Sequence, residues 1–285
     1  MTGLFSQVAF VVGRESMEAL LVVGILNAWL GHHADREAAA AGQRWLLLGV
    51  AAGLAGSVLL AGALLGFSSL LEGEREDWFQ IAAAAVAALL IVQMAVWMQA
   101  HGPGLKRELE RGAAQALGDR NWWGLFLLAA IAVMREGSET VVFLYGILAA
   151  AGPVHPAVSL AAATTGLACA GLLYWLLQLG ARRMAWAVFF RATQALLLAL
   201  GAALLMTALD RAIGLDLVPA LSPPLWDTSR LLDDGGGVGG LLAALAGYRA
   251  RPELMPVLVY AAYWAAVAWL LGSGWRRHPA VADQP

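Results

Sequence analysis

The sequence predicts an all-helical integral membrane protein that forms a single domain over residues 1–285. Two observations lead to this prediction. Hydrophobic residues make up 60% of the chain and charged residues only 13%, whereas soluble domains average about 25% charged residues. The chain also contains seven separate apolar stretches, and each is long enough for the roughly 20 residues that cross a bilayer as a helix. A third observation, the distribution of basic residues between these stretches, predicts how the helices are oriented.

The seven predicted spans follow one another with mostly short connections. They cover residues 4–30, 45–67, 78–99, 122–150, 157–180, 192–217 and 255–274. The connection over 218–254 is longer and rich in Gly and Pro. Within it, residues 238–248 are apolar but too short to cross a membrane. We expect this segment to form an interfacial or re-entrant helix.

Basic residues are unevenly shared between the two sets of connections. Segments 31–44, 99–121 and 181–191, together with the C-terminal tail, hold eleven Lys and Arg residues, whereas the alternate connections hold four. Because cytoplasmic loops carry the excess of basic residues, the N-terminus is predicted outside and the C-terminus in the cytoplasm. Arg211 directly follows Asp210 near the outer end of the sixth span, and we expect these two to form a local ion pair.

The pattern R-E-x-x-E occurs twice, each time inside an apolar stretch. The first comprises Arg14, Glu15 and Glu18, and the second comprises Arg135, Glu136 and Glu139. A charge near the centre of a membrane helix costs several kcal/mol, about 3 or more, so charges at such depth usually mark a functional site. The two patterns begin 121 residues apart, on the first and fourth spans.

This spacing predicts an inverted repeat of three helices. The units would cover about 4–99 and 122–217, with the seventh helix over about 255–274 standing apart. Because three is an odd number of crossings, the second unit enters the membrane in the opposite sense. Many secondary transporters use such a repeat to build a substrate site at the membrane midplane.

Helical geometry places the charges of each pattern on one face. The two Glu residues of a pattern lie about 60° apart, and the Arg and the second Glu are i,i+4 neighbours. If the two faces meet, four carboxylates and two guanidiniums leave an excess of two negative charges, which a cation or protons must neutralise. Carboxylates suit hard cations such as magnesium, calcium, manganese or ferric iron better than copper(I).

We therefore predict Glu15, Glu18, Glu136 and Glu139 as metal ligands, with Arg14 and Arg135 as supporting charges. Each Arg can balance one Glu at i,i+4, so Glu15 and Glu136 would depend most on the metal. The alternative is that the two patterns are only internal ion pairs that join the helices. We expect the hydroxyls of Ser16 and Ser138 to bond back to their own helices.

Acidic residues also cluster in two predicted outer loops. They could concentrate cations at the mouth of a pathway, or they could be ordinary solvated loop charges. They are Glu72, Glu74, Glu76 and Asp77 in one loop, and Asp227, Asp233 and Asp234 in the other.

With these residues in view, the chain resembles the high-affinity iron permeases, the oxidase-dependent iron transporters of bacteria and fungi. The resemblance rests on VVGRESMEALLVVGIL at 11–26, AVMREGSETVVFL at 132–144, MAVWM at 94–98, Trp226-Asp227 and LLAALAGY at 241–248. It implies seven transmembrane helices in the cytoplasmic membrane. It also implies uptake of iron as substrate, with no permanently bound cofactor, and an extracytoplasmic partner that oxidises ferrous to ferric ion.

The chain departs from the family pattern at three positions. Met17 and Ser138 stand where the two motifs usually have Leu, and Gln80 stands where members often carry Glu. Glu76 and Asp77 lie one turn earlier, and whether Glu76 takes over that role stays open here.

The resemblance favours an iron permease, importing ferric iron, over two alternatives. One is a proton-coupled carrier of another divalent cation, and the other is a membrane-embedded metal-dependent oxidase. A di-metal oxidase would want Glu-x-x-His motifs, which the sequence lacks, so we do not expect an enzyme. No basic arm suggests a nucleic-acid partner, and the single cysteine, Cys169, cannot form an intrachain disulfide. The expected partners are iron, membrane lipid and the oxidising donor protein.

Overall fold

A computed structural model describes residues 2–33, 36–101, 104–118, 122–151, 155–178 and 186–276. Arg120, Arg182, Arg183 and Arg277, which contribute to the predicted orientation, lie outside these ranges. Within them the secondary structure is helical, with no strand. The helices are α1 (Thr2–His33), α2 (Arg36–Ser68), α3 (Glu74–His101), α4 (Leu105–Gly118), α5 (Trp122–Ala151), α6 (Pro156–Gln178), α7 (Trp186–Gly214), α8 (Gly237–Ala246) and α9 (Leu254–Arg276).

Each predicted span corresponds to one long helix, and α8 matches the predicted short helix. The sequence reading missed α4, which lies in the basic connection over 99–121. This helix is amphipathic: Leu109 and Ala113 are buried, and it packs against α1 and α5. Arg107, Glu108 and Arg111 are exposed on its other face. The spacing of Leu109 and Ala113 is typical of one face of a helix, but the charged residues around them indicated a loop.

Five long helices are apolar enough over their length to cross a membrane. They are Glu37–Ser68, Glu74–Ala100, Pro156–Leu176, Arg191–Gly214 and Leu254–Gly272. The other two long helices, α1 and α5, carry the two charged motifs near mid-length, which makes them less apolar. With 32 and 30 residues, they extend about 48 and 45 Å, more than the roughly 30 Å of a hydrocarbon core. The chain is a multi-pass membrane protein.

The long helices pack in a reciprocal pattern. The second helix of each predicted unit lies along the first helix of the other, so α2 packs on α5 and α1 packs on α6. The third helices, α3 and α7, pack on each other, and α1 also contacts α5. The short helix α8 packs on α1 and α7, and α9 packs on α3 and α7.

Two glycines show that this reciprocity extends to individual contacts. A methyl group built on Gly53 of α2 would lie 2.8 Å from the Ala130 oxygen and 2.9 Å from the Met134 nitrogen. One built on Gly166 of α6 would lie against the Ala9 oxygen and 2.9 Å from the Gly13 nitrogen. Ala9 and Gly13 precede Ala130 and Met134 by 121 residues, the same interval that separates the two motifs. Glycine permits the close backbone approach in both places.

The charged motifs lie between two apolar clusters. One cluster includes Val8 and Val11 of α1 and Phe143 and Ile147 of α5. The other includes Val22, Leu26 and Leu30 of α1 with Leu125 and Ala129 of α5. Because α1 and α5 contribute in opposite order, the two helices run antiparallel past each other. This crossing brings the two motifs to the same level of the bundle.

Backbone hydrogen bonds join the two halves of the segment over 218–254 to each other. Leu225 N donates to Pro252 O at 2.9 Å, and Thr228 N donates to Ala250 O at 3.0 Å. The expected Asp210–Arg211 pair is replaced by other partners: Asp210 pairs with Arg249 at 2.7 Å, and Arg211 donates to Gln80. Consecutive helical residues point about 100° apart, so Arg211 faces α3 while Asp210 faces the loop.

Candidate metal centre

Three carboxylates from the two motifs converge between α1 and α5. Glu15, Glu18 and Glu136 each offer one oxygen, and these oxygens lie within 4.8 Å of one another. All three residues are buried, with 1%, 8% and 7% of their surface exposed. Glu139, the fourth predicted ligand, lies on the same helix as Glu136 but outside this group of three. The antiparallel crossing of α1 and α5 thus unites two sequence motifs in one place.

The first motif is a closed ion-pair network. Arg14 Nη1 donates to Glu15 Oε1 at 2.7 Å, and Arg14 Nη2 lies 2.6 Å from Glu18 Oε1. The Arg14 side chain is only 6% exposed. The sequence predicted that Arg14 would pair with Glu18 alone and that Glu15 would have no charge partner. The prediction for Glu15 is wrong, because Arg14 contacts both carboxylates. A guanidinium carries donors in a planar fork and so reaches both carboxylates.

The second motif is looser. Arg135 Nε donates to Glu139 Oε1 at 3.2 Å and lies 3.6 Å from Glu136 Oε1. The Arg135 side chain is 35% exposed, and its guanidinium carbon stands 3.9 Å from the centre of the Trp97 ring on α3. Glu136 therefore has only a distant charge partner on its own helix, as the sequence reading expected.

Several carboxylate oxygens of the centre are buried without a hydrogen-bond donor. They are Glu15 Oε2, Glu18 Oε1, Glu136 Oε2 and Glu139 Oε2. Glu18 Oε1 is close to Arg14 but not at a hydrogen-bonding angle. A buried carboxylate oxygen without a donor is unfavourable. Hard cations bind such oxygens, so the donor set fits a cation that accepts oxygen ligands.

A cavity of about 260 Å³ adjoins the centre, between α1, α2 and α5. Glu15, Glu136, Ser57 and Thr140 are among its lining residues. Ser57 comes close to α5 because Gly137 has no side chain: a methyl group there would lie 2.8 Å from Ser57 Cβ. The sequence reading missed Ser57 and Thr140. Nothing in the sequence of the two motifs indicates which residue of α2 lies against them.

Of the two serine hydroxyls within the motifs, that of Ser138 bonds back to its own helix, whereas the structure shows no such bond from Ser16, for which the expectation is wrong. Ser138 Oγ donates to Arg135 O at 2.8 Å, which confirms the expectation for this residue. Thr140 Oγ1 likewise donates to Glu136 O at 2.8 Å. Both hydroxyl protons are donated within α5, so each oxygen can still accept a hydrogen bond or bind a cation.

Most of the predicted outer acids have hydrogen-bond partners within their own segments. Three of these acids lie in the first turn of α3, where a negative charge interacts favourably with the helix dipole. They are Glu74, Glu76 and Asp77. Glu76 Oε1 accepts from Gln80 Nε2 at 2.9 Å, and Glu72 is exposed. The three acids of the second outer loop brace backbone turns. Asp233 accepts from Gly235 N at 3.1 Å, and Asp234 accepts from Ala250 N at 2.9 Å.

Asp227 makes more polar contacts than the other two acids of this loop. Its carboxylate accepts hydrogen bonds from the hydroxyl and the amide of Ser229 at 2.6 and 3.0 Å, and it pairs with Arg251 at 2.9 Å. The Ser229 hydrogen bonds, together with Arg251, lower the pKa of Asp227 to about 2. Asp227 thus orders the outer loop, and within the part of the chain that the structure describes none of these three loop acids contacts the intramembrane carboxylates.

The chain is similar to proteins of one transporter family along nearly its full length. The profile of the iron permease FTR1 family matches residues 5–275. An uncharacterized protein of Archaeoglobus fulgidus is 29% identical over 93% of each chain. The ferrous iron permease EfeU of Escherichia coli O6:H1 is 28% identical over 92% of this chain and 94% of its own.

A relative from Escherichia coli strain K12, named as a putative inactive ferrous iron permease, is 27% identical over 88% of this chain. No solved structure matches the chain at a comparable level. The family profile covers both R-E-x-x-E motifs and every helix described above, and the chain therefore belongs to the iron permease FTR1 family.

Proposed function

We propose that this protein imports iron across the cytoplasmic membrane through the carboxylates of its two motifs. The observation that carries this proposal is the convergence of Glu15, Glu18 and Glu136, whose oxygens lie within 4.8 Å of one another. Glu15 and Glu136 also each have a buried oxygen without a hydrogen-bond donor. Glu139 is one turn from Glu136 and completes the set when its pair with Arg135 opens.

Charge balance supports a cationic substrate. The four carboxylates and two guanidiniums carry a net charge of −2 in a buried environment. Ion pairs alone cannot remove this excess, because Arg14 already contacts two carboxylates. A bound iron ion offsets this excess, to zero if it is ferrous and to +1 if it is ferric, and it offers a partner to the carboxylate oxygens that lack donors. The arginines limit the negative charge, so that the ion can leave again.

We further propose seven membrane crossings with the N-terminus outside, and an inverted repeat of α1–α3 and α5–α7. The reciprocal packing of α1 on α6 and α2 on α5 supports the repeat. So do the matching approaches of Gly53 and Gly166, whose partners are offset by the motif interval. In this arrangement the centre lies near the membrane midplane, and Glu15, Glu18 and Glu136 face each other between α1 and α5 instead of facing lipid.

The two ends of the bundle differ in a way that supports alternating access. At the proposed outer end, Phe67, Phe79 and Tyr145 form an aromatic cluster with ring centres 5.1 and 5.5 Å apart. At the proposed inner end, a cavity of about 690 Å³ lies between α1, α4 and α6. Its lining includes Leu21, which is three residues beyond Glu18. We propose that this conformation is nearer to an inward-open than to an outward-open state, and that rocking of one repeat against the other opens the outer side.

We propose ferric ion as the species that occupies the carboxylates, supplied by an oxidising partner on the outer side. Hard oxygen ligands favour a small, highly charged ion, although the net charge of −2 is balanced equally well by a divalent one. Several relatives are named ferrous iron permeases, which makes direct ferrous uptake the alternative. Carriage of another divalent cation is the second alternative, because carboxylates also bind manganese and magnesium.

Uptake of labelled iron into proteoliposomes tests these proposals together. Ferrous iron under a reductant and ferric iron in a weak chelate are offered separately to wild type and to Glu15→Ala. We expect uptake with the wild type and none with the variant, at equal protein insertion. Manganese or zinc that competes fully with iron would indicate a broader carrier. Normal iron uptake by Glu15→Ala would remove the centre from the pathway.

A further inference from the structure

Helix α3 contacts both motif arginines from positions one turn apart. Arg14 Nη1 donates to the sulfur of Met94 at 3.2 Å, and the guanidinium carbon of Arg135 lies 3.9 Å from the centre of the Trp97 ring. Residues three apart share a face of a helix. One face of α3 therefore presents a thioether to one arginine and an indole to the other.

The two contacts act differently on the arginines. A thioether is a weak hydrogen-bond acceptor, and Arg14 keeps both of its close carboxylate partners beside it. An indole ring attracts a guanidinium over its face, by about 0.5–2 kcal/mol. Arg135 is drawn over this ring and stays 3.6 Å from Glu136. The indole thus competes with Glu136 for the guanidinium.

Arg135 also has room to move. It lines a cavity of about 290 Å³ between α3 and α5, together with Gln93, Trp97 and Glu139. By contrast, the Arg14 side chain is enclosed. A guanidinium with this freedom would settle onto the buried carboxylates if nothing held it back, because Glu136 Oε2 and Glu139 Oε2 lack donors.

We propose that Trp97 is a positioning residue that holds Arg135 away from Glu136, so that this carboxylate stays available to the transported cation. The proposal rests on the function proposed above. Trp97 does not touch the cation itself. It sets how much positive charge competes for the centre, and therefore how tightly the centre holds iron.

The test compares iron uptake by wild type, Trp97→Leu and Trp97→Phe in proteoliposomes. Trp97→Leu is expected to raise the half-saturating iron concentration about tenfold, with a smaller change in maximal rate, because the released Arg135 competes with iron. Trp97→Phe keeps a weaker ring and is expected to raise it only about threefold. Trp269→Leu, which removes an exposed tryptophan of α9, serves as the control and should match wild type.

The same comparison in an Arg135→Gln background separates positioning from simple packing. Without the guanidinium, Trp97→Leu should leave the half-saturating concentration unchanged. An equal effect of Trp97→Leu with and without Arg135, or no effect with Arg135 present, would overturn the proposal. If Trp97→Leu does not reach the membrane, Trp97→Phe in both backgrounds decides by the same criterion. Absence of uptake by the wild type would refute the proposed function instead.

Discussion

The two R-E-x-x-E motifs share a sequence pattern but occupy different environments. In the first, Arg14 is enclosed and lies 2.7 and 2.6 Å from two carboxylates. In the second, Arg135 is about one-third exposed and lies 3.2 and 3.6 Å from its carboxylates. The backbone relation between the motifs is close to reciprocal, so the difference comes from neighbouring side chains.

This difference indicates a division of labour between the motifs. The enclosed first motif is expected to stay fixed, because moving Arg14 away would leave the buried carboxylates of Glu15 and Glu18 without a charge partner. The second motif can adjust, since Arg135 has a cavity beside it and an aromatic ring to rest on. A site that must bind an ion and then release it needs one adjustable side. Four predictions test this difference between the motifs.

The largest effect is expected where the two motifs meet. Glu15→Gln and Glu136→Gln each replace a ligand oxygen with an amide that binds hard cations poorly. Each should reduce iron uptake at least about a hundredfold, beyond the usual 10- to 100-fold effect of residues outside the ligand shell. Labelled iron uptake measures this, and Glu108→Gln on the exposed face of α4 is the control. A loss in only one of the two variants would mean that the motifs act separately.

The next effect separates the two arginines by stability. Arg14→Gln leaves two buried carboxylates without their charge partner and should destabilise the protein by about 3–5 kcal/mol. Arg135→Gln should cost only about 1 kcal/mol, because that side chain is more exposed and its contacts are longer. Thermal unfolding of detergent-solubilised protein compares the two. Equal midpoints for both variants would contradict the assignment of a fixed and an adjustable motif.

A smaller effect tests the reciprocal backbone packing. Gly53→Val and Gly166→Val each force a side chain against the backbone of the partner helix, and each should destabilise by about 1–3 kcal/mol. Gly62→Val lies on α2 with no atom near its added methyl group and is the control. Thermal midpoints provide the measurement. A large effect at Gly53 with none at Gly166 would argue against an inverted repeat.

The smallest effect is expected for the ion pair outside the membrane. The lowered pKa of Asp227 means that its stabilising contribution is present above its unfolded pKa, near 4. The contribution is lost as the pH falls towards about 2. The Asp227 side chain is about half exposed and solvent screens its ion pair, so Asp227→Asn should give little or no shift in thermal midpoint at pH 7. Iron uptake between pH 5 and 8 should be the same in this variant, and a changed pH profile would assign Asp227 to the pathway.

Much of the architecture could be predicted from the sequence. The lengths of the apolar stretches predicted all seven long helices, and the charges within two of these stretches predicted where the metal centre lies. The sequence could not show how Arg14 reaches Glu15 as well as Glu18, since that depends on a rotamer set by enclosure. It gave no sign of Ser57, and although Trp97 lies in the MAVWM segment that supports the family resemblance, nothing in the sequence placed it beside Arg135. These side chains approach the motifs from α2 and α3, across contacts that no local pattern encodes. Helix α4 was missed because its narrow apolar stripe lies among charges.

The central claim is that both motifs form one site for one iron ion. Iron bound to the purified protein at saturation, measured by equilibrium dialysis with elemental analysis, tests this most directly. We expect one iron per wild-type chain, and none at the same free iron concentration in either Glu15→Gln or Glu136→Gln. Two irons per wild-type chain, with one retained in each single variant, would show that each motif binds its own ion and would contradict the account.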